Sequence, residues 1–317
     1  MSGRVELGSG EFKYEVLVDW ETLPPGYSWT DAAAVAVDSS DRVYVFNRGE
    51  HPMIVFDRDG KFLKSWGEGV FTRAHGATIG PGETLYLTDD GDHTVRQCTL
   101  DGKILMTIGI PGQPAPYQSG DPFHRCTDVA IDPNTGELYV ADGYGNSSVH
   151  KYSPDGQHLF RWGAPGTDPG EFNIVHNIAT DADGNVYVAD RENHRVQIFD
   201  SSGNYLDQWA NMHRPCAIFI SEAQKVYIGE LGASMPVNQE MPNIGPRISV
   251  YDNQGKRLAR VGHLGFGTKT GQFIAPHGIC LDSRDDIYLG EVAWTNMNNM
   301  GEPAPGIRSF QKLVKIP

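Results

Sequence analysis

Apolar and polar residues alternate along this chain in short runs that end on the same few turn words. VAIDPNTGELYVADGYGNSSVHKYSPDGQHLFRWG at 129–163 returns almost residue for residue as IATDADGNVYVADRENHRVQIFDSSGNYLDQWA at 178–210. Related wording begins at 35 (VAVDSSDRVYVFNRGEHPMIVFDRDGKFLKSWG), at 77 (ATIGPGETLYLTDDGDHTVRQCTLDGKILMTIG), at 218 (IFISEAQKVYIGE) and at 279 (ICLDSRDDIYLGE). Period-two alternation between DG and PDG turns predicts antiparallel strands, four to a unit, in six units.

A lone unit of this kind cannot bury both faces of its sheet. Radial packing of six such blades about a channel solves that problem, so the chain is expected to be an all-β, six-bladed β-propeller, one domain over residues 1–317. The sixth unit has only three strands of its own, ending in QKLVKIP, while FKYEVLVDW at 12–20 alternates with no unit to join. The N- and C-terminal strands are therefore expected to close the last blade and hide its open edges.

Composition narrows the partners. A net charge of −14 without clustered Lys and Arg argues against nucleic acid, and no run of 18 apolar residues offers a membrane span. A small-molecule substrate is the expected partner, with no obligate protein partner in evidence. Cys98, Cys126, Cys216 and Cys280 form no CxxC, and MSGRVELGSGEF lacks an apolar signal core, which together suggest a reducing, cytoplasmic setting.

Superposing the repeats exposes columns. Five residues before the end of each first strand stand Ala33, His75, Thr127, His176, Cys216 and His277. In a ring of six, the second, fourth and sixth blades lie about 120° apart, and the entry points of the innermost strands crowd one channel mouth, so three imidazoles would converge there. Imidazoles suit zinc or another divalent transition ion, and three protein ligands leave a position open, as catalytic sites require. Cys216 shares the column and ranks below the histidines as a ligand. A second histidine column, His51, His93 and His194, is expected to be structural. So is the column closing the second strands: Asn47, Asp89, Asp142, Asp190, Glu230 and Glu291. Just past it the copies diverge, giving Arg48, Tyr144 and Arg191. Long segments at 231–246 and 292–306 leave the same face and could wall the mouth.

The repeat wording, as in VYVADRENHRVQIFD at 186–200, resembles NHL-type six-bladed propellers. A more specific resemblance is to peptidyl-α-hydroxyglycine α-amidating lyases, carried in order by NRGEH around Arg48, HGATI at His75, TDVAIDPNTGELYVADGYGNS at 127–147, VHNIA at His176, VADRENHRVQIF at 188–199 and APHGI at His277. The resemblance implies that His75, His176 and His277 bind a catalytic zinc and that Arg48, Arg191 and Tyr144 line the substrate site. Ala275 and Gly278 stand where the family has a Met and an acidic residue, the latter helping to hold a structural calcium, which counts against that calcium here. Gly145 replaces a disulfide cysteine of secreted members.

The implied reaction is cleavage of the C–N bond of a carbinolamide, R–CO–NH–CH(OH)–COO⁻, to an amide and glyoxylate. Tyr144 could accept the hydroxyl proton, and Arg48 or Arg191 could clamp the carboxylate by paired hydrogen bonds. Two alternatives stay open: another metal-dependent hydrolase or hydratase acting on a small oxygenated substrate, and a non-catalytic binding propeller.

Overall fold

The repeats become sheets as their alternation requires. The computed structural model describes residues 5–233, 235–238, 241–262, 265–302 and 306–317. Almost all regular structure among these is strand, gathered into six antiparallel sheets, and the fold is the six-bladed β-propeller expected from the repeats. The chain divides into two compact units, one of residues 69–220 and one of residues 1–68 with 221–317.

In the unit of residues 69–220, blade two comprises Ala74–Gly80, Thr84–Asp89, Thr94–Thr99 and Ile104–Ile108. Blade three comprises Asp128–Ile131, Leu138–Asp142, Ser148–Tyr152 and His158–Trp162, and blade four Val175–Thr180, Val186–Asp190, Arg195–Phe199 and Tyr205–Trp209. The middle strands are buried along their whole length, whereas the outermost strands are largely exposed. Strands covered on both faces read as near-continuous apolar runs, which is why LYVAD and VYVAD alternate so weakly. Neighbouring blades share aromatic layers. Tyr139, Phe172 and Phe199 pack with Ile178 and Val188 between blades three and four, and Tyr86, Phe123 and Tyr152 do so between blades two and three.

One hydrogen-bonding device recurs at the end of the first strand. Asp181 Oδ1 accepts the amides of Asp183 and Asn185 at 3.0 and 2.8 Å, and its Oδ2 accepts the Tyr187 hydroxyl at 3.3 Å. Asp38 with Tyr44, Asp132 with Tyr139 and Asp282 with Tyr288 repeat the arrangement. The side chain thus forms the turn and anchors the second strand to it.

In the other unit, blade one comprises Ala32–Val37, Val43–Asn47, Met53–Phe56 and Phe62–Trp66. The strands Val226–Glu230, Arg247–Tyr251 and Arg257–Val261 of blade five also lie here, while its first strand, Pro215–Ile220, falls in residues 69–220. Blade six is closed by the chain termini: Phe12–Leu17 pairs antiparallel with Phe310–Lys315, with Tyr14 opposite Lys315 and Leu17 opposite Lys312. The sheet then gains a fifth strand that the alternation did not reveal, Glu6–Ser9, folded back on Phe12–Leu17 through a two-residue turn at Gly10 (φ 59°).

Trp20 locks this closure. Its indole Nε1 donates to Arg58 O at 2.9 Å, and its ring lies 5.5, 5.2 and 5.7 Å from those of Phe56, Tyr288 and Phe310, tying blade six to blade one. Truncating a buried tryptophan removes both its transfer energy and the packing around it. Trp20→Ala is expected to lower the unfolding free energy by about 3–5 kcal/mol in urea titrations, whereas truncating exposed Leu105 should change it by less than about 0.5 kcal/mol.

Candidate metal and substrate site

In four of the innermost strands the residue picked out by the repeat count is the inserted residue of a β-bulge. Strand pairing skips from Ala32 to Ala34, Ala74 to Gly76, Val175 to Asn177 and Pro276 to Gly278, so Ala33, His75, His176 and His277 are the inserted residues. A bulge takes one side chain out of the strict alternation and re-aims it.

The three histidines are buried and make the same bond. Nδ1 of His75 lies 2.7 Å from Thr127 O, Nδ1 of His176 2.8 Å from Cys216 O, and Nδ1 of His277 2.6 Å from Ala33 O. A carbonyl oxygen can only accept, so Nδ1 carries the hydrogen in every case, and in its neutral form each ring presents a lone pair at Nε2. Within residues 69–220, His75 and His176 each offer one ring nitrogen that could help hold a metal ion.

Within residues 69–220, Tyr144 meets two of these rings. Its phenol oxygen is 3.2 Å from His75 Nε2 and 3.1 Å from His176 Nε2. A phenol has a single hydrogen and cannot donate to two lone pairs at once, whereas a cation can take both. The residues present therefore fit a metal. Tyr144 is brought there by Gly143, at which a Cβ would stand 1.8 Å from Val175 O; only glycine lets the chain run this close to the strand carrying His176.

Arg191 opens a single 3-10 turn, Arg191–Asn193, its amide donating to Ile174 O at 3.1 Å. Its Nε donates to Glu192 Oε1 at 2.8 Å, and its Nη1 stands 3.5 Å from the Tyr144 oxygen. Burial opposes the guanidinium charge, but the Tyr144 oxygen, the Cys216 sulfur and the Glu192 carboxylate outweigh it and raise the arginine's pKa. Cys216 Sγ is nearer Nδ1 of His176 (3.4 Å) than Nε2 (3.8 Å), beside the nitrogen already engaged, and burial pushes its thiol up to about 11.

Arg48 lies in the other unit. Its amide donates to Asp31 O at 2.9 Å and its Nη1 is 3.4 Å from Asp31 Oδ2. Asp31 Oδ1 also accepts the Thr295 amide at 3.0 Å, so the short helix Ala293–Asn299 within the 292–306 segment is fastened to the carboxylate that holds Arg48. Residues 303–305 of that segment, and 234, 239 and 240 of the 231–246 segment, lie outside the described residues.

The two columns assigned to structure behave accordingly. Asn47, Asp89, Asp142, Asp190 and Glu291 each accept the backbone amide of a residue in the loop preceding their own blade: Thr30, Thr72, His124, Asn173 and Ile274 respectively. His93 Nδ1 accepts the Arg125 amide and His194 Nδ1 the Arg214 amide, while His51 stacks on Tyr27. Gly278 leaves no room for the family's acidic side chain, since a Cβ there would meet Ala34 Cα at 2.6 Å.

Two residues escaped the sequence reading. Arg125 lies with its guanidinium carbon 4.5 Å from the Tyr144 ring centre. Asp128, one residue past the histidine column, is buried with Oδ1 lacking a hydrogen-bond partner and Oδ2 accepting from Asn177 Nδ2. The signal for both lay in reading the positions flanking that column, where blades two, three and five carry Arg73, Arg125 and Arg214 two residues ahead of it.

Comparison with known proteins agrees with this architecture. The NHL repeat model matches residues 123–152 and 172–199. Human NHL repeat-containing protein 3 is 35% identical over 213 residues, covering 62% of this chain and 60% of that protein. The probable peptidyl-alpha-hydroxyglycine alpha-amidating lyase pgal-1 of Caenorhabditis elegans is 32% identical over 207 residues, covering 60% of this chain and 57% of the relative. The chain thus spans about 60% of the length of these curated relatives. A solved gluconolactonase from Xanthomonas campestris is similar with a TM-score of 0.63 at 12% identity, over 96% of this chain and 90% of that one, which is a likeness of fold.

Burial raises the Asp128 carboxyl from its ordinary 3.8 to about 7. Between those values the native state binds a proton that the unfolded chain has lost, so this group's contribution is full below about pH 4 and falls as pH rises toward 7. Asp128→Asn, which keeps the shape and removes the titration, is expected to gain stability relative to the parent progressively from pH 4 to 7 and no further above it. Urea midpoints measured across that range check the slope.

Proposed function

We propose that this NHL-repeat chain, an amidating-lyase-like protein by sequence, is a metal-dependent lyase that splits an α-hydroxyglycine-type carbinolamide into an amide and glyoxylate. Homologues named as amidating lyases support the lyase class. The observation that carries the rest is the Tyr144 oxygen poised on the Nε2 atoms of His75 and His176, whose Nδ1 atoms are already committed to backbone carbonyls. His277, with the same bulge and the same Nδ1 bond, is proposed as the third ligand. Zinc is the expected ion because an all-imidazole set with an open position suits it. When bound, the ion supplies Lewis-acid polarisation of the substrate's hydroxyl oxygen.

The protein's own groups divide the remaining work. Tyr144, acting in its ionised form, takes the hydroxyl proton at its oxygen, the C–N bond breaks as the C–O bond becomes a carbonyl, and that proton passes to the departing nitrogen, which restores the ionised tyrosine. R–CO–NH–CH(OH)–COO⁻ becomes R–CO–NH₂ and OHC–COO⁻, with atoms and charge conserved. Arg191, fixed by Glu192 and with its Nη1 3.5 Å from the Tyr144 oxygen, holds the substrate carboxylate. Arg48, fixed by Asp31, is proposed as a second anchor.

The purified protein is expected to hold one transition ion per chain by elemental analysis, with His176→Ala losing most of it. Loaded with zinc, it should release glyoxylate from N-benzoyl-α-hydroxyglycine. Tyr144→Phe should lower kcat about 10²- to 10⁴-fold with metal content unchanged, the usual range for a lost proton-transfer group. Arg191→Lys keeps the charge but loses the planar fork, so it should act mainly by raising KM. Near-normal turnover in Tyr144→Phe would remove the tyrosine from the mechanism. A metal-loaded protein that releases no glyoxylate would overturn the lyase assignment itself.

A further inference from the structure

The proposed reaction needs one anion site, for the carboxylate beside the carbinol carbon. Around Tyr144 there is more positive charge than that. Arg73 and Arg125 close on the same oxygen of Asp90: Arg73 Nη1 lies 2.5 Å from Oδ2, and Arg125 Nη2 and Nε lie 2.6 and 3.1 Å from it. The Asp90 side chain is fully buried, so one carboxylate holds two guanidiniums, and among these three side chains one positive charge stands in excess. The Arg73 and Arg125 side chains remain 32% and 39% exposed.

The repeat explains how the excess arises. Just past the second strand, blade one carries Arg48 opposite Asp31 and blade two carries Asp90 opposite Arg73, each pair made within its own blade. Blade three carries Gly143 at that position, so Arg125 has no carboxylate there and reaches to Asp90 of blade two, which Arg73 already neutralises. Arg125 is also held in a left-handed conformation (φ 66°), its amide donating to His93 Nδ1 at 3.0 Å. Its guanidinium lies 4.5 Å from the Tyr144 ring centre, against 5.6 Å for Arg191, so both arginines stand close to the tyrosine ring.

We propose that Arg125, backed by Arg73, is a specificity-determining anion position beside Tyr144. It receives a second carboxylate carried on the acyl part of the substrate, so the preferred substrate is a small dianion. This rests on the lyase reading for the core of the substrate. Arg191 takes the carboxylate next to the carbinol carbon, and Arg125 takes the one at the far end. A planar guanidinium that is already oriented by a buried carboxylate loses little freedom on binding a second one, and charge-assisted bonds of this kind are the strong ones.

The test uses two unreactive analogues lacking the hydroxyl group, N-succinylglycine and N-acetylglycine, titrated calorimetrically into the metal-loaded protein. The unmodified protein should bind the succinyl compound about tenfold or more tightly. Arg125→Gln should bring the two within about twofold, and Arg125→Lys should keep part of the preference. Arg73→Gln tests the same charge independently: it leaves Asp90 to Arg125 alone, cancels the excess and should also lower the preference. Absence of a preference in the unmodified protein, or its persistence in both glutamine variants, overturns the proposal. Glyoxylate release from the corresponding N-succinyl and N-acetyl α-hydroxyglycines is measured in parallel. If neither yields glyoxylate while the binding preference holds, the lyase reading fails and the anion position stands.

Discussion

The bond from each bulged histidine's Nδ1 to the backbone carbonyl of the next blade's equivalent residue is the constraint on which the proposed site depends. It fixes which nitrogen carries hydrogen, it fixes the ring's orientation, and it ties the ring to a backbone that a buried strand holds still. Outer partners of this kind raise the basicity of the opposite nitrogen and keep it aimed. The bond also explains a puzzle in the column itself. Ala33, Thr127 and Cys216 have nothing chemical in common as side chains, but in these positions they are used as carbonyl oxygens. Any residue that packs can fill such a place. The Thr127 carbonyl is further braced by the Thr88 hydroxyl at 2.7 Å, so even the bond's acceptor is held.

Two kinds of buried carboxylate have to be kept apart here. Asp89, Asp142, Asp190 and Glu291 close the second strands and accept loop amides, and burial pushes Asp190 and Glu291 upward while those amides pull back. They hold the loops that carry the site and touch none of its reacting groups. Asp31, Asp90 and Glu192 instead hold arginines, at Arg48, at Arg73 with Arg125, and at Arg191 with Arg214. A guanidinium fixed in this way keeps its remaining N–H donors in a known direction. The first set fastens loops to the blades, and the second orients guanidiniums.

The blades, the terminal closure and the histidine column were legible because each follows from a period that survives in the sequence. Period-two runs gave the strands, the repeat length gave the blades, and the spare segment FKYEVLVDW predicted the pairing that Phe12–Leu17 makes with Phe310–Lys315. The fifth strand Glu6–Ser9 was not legible, since ELGS has no apolar alternation and its pairing depends on the turn at Gly10. The bulges at His75, His176 and His277 were hidden too, because an inserted residue changes the ladder without changing the repeat length when most blades carry it. Arg125 was missed for a different reason. Its pairing depends on Gly143, just past the second strand of its own blade, and on Asp90 of blade two, a relation between three columns that no single column displays.

The arginines around Tyr144 also resolve a tension in the composition. A chain with net charge −14 repels anions at long range, yet the proposed reaction needs a site that receives one. Screening reduces the long-range part sharply, since at physiological ionic strength the field of exposed charges decays over about 8 Å. What an anion meets at contact is set by the groups within a few ångströms: the Arg125 and Arg191 guanidiniums, 4.5 and 5.6 Å from the centre of one phenol ring, the first held by buried Asp90 and the second by half-buried Glu192. Selectivity then depends on direction and number of donors more than on overall charge. A flexible lysine in either place would provide the sign of the charge without the geometry, and the acidic surface would count for more.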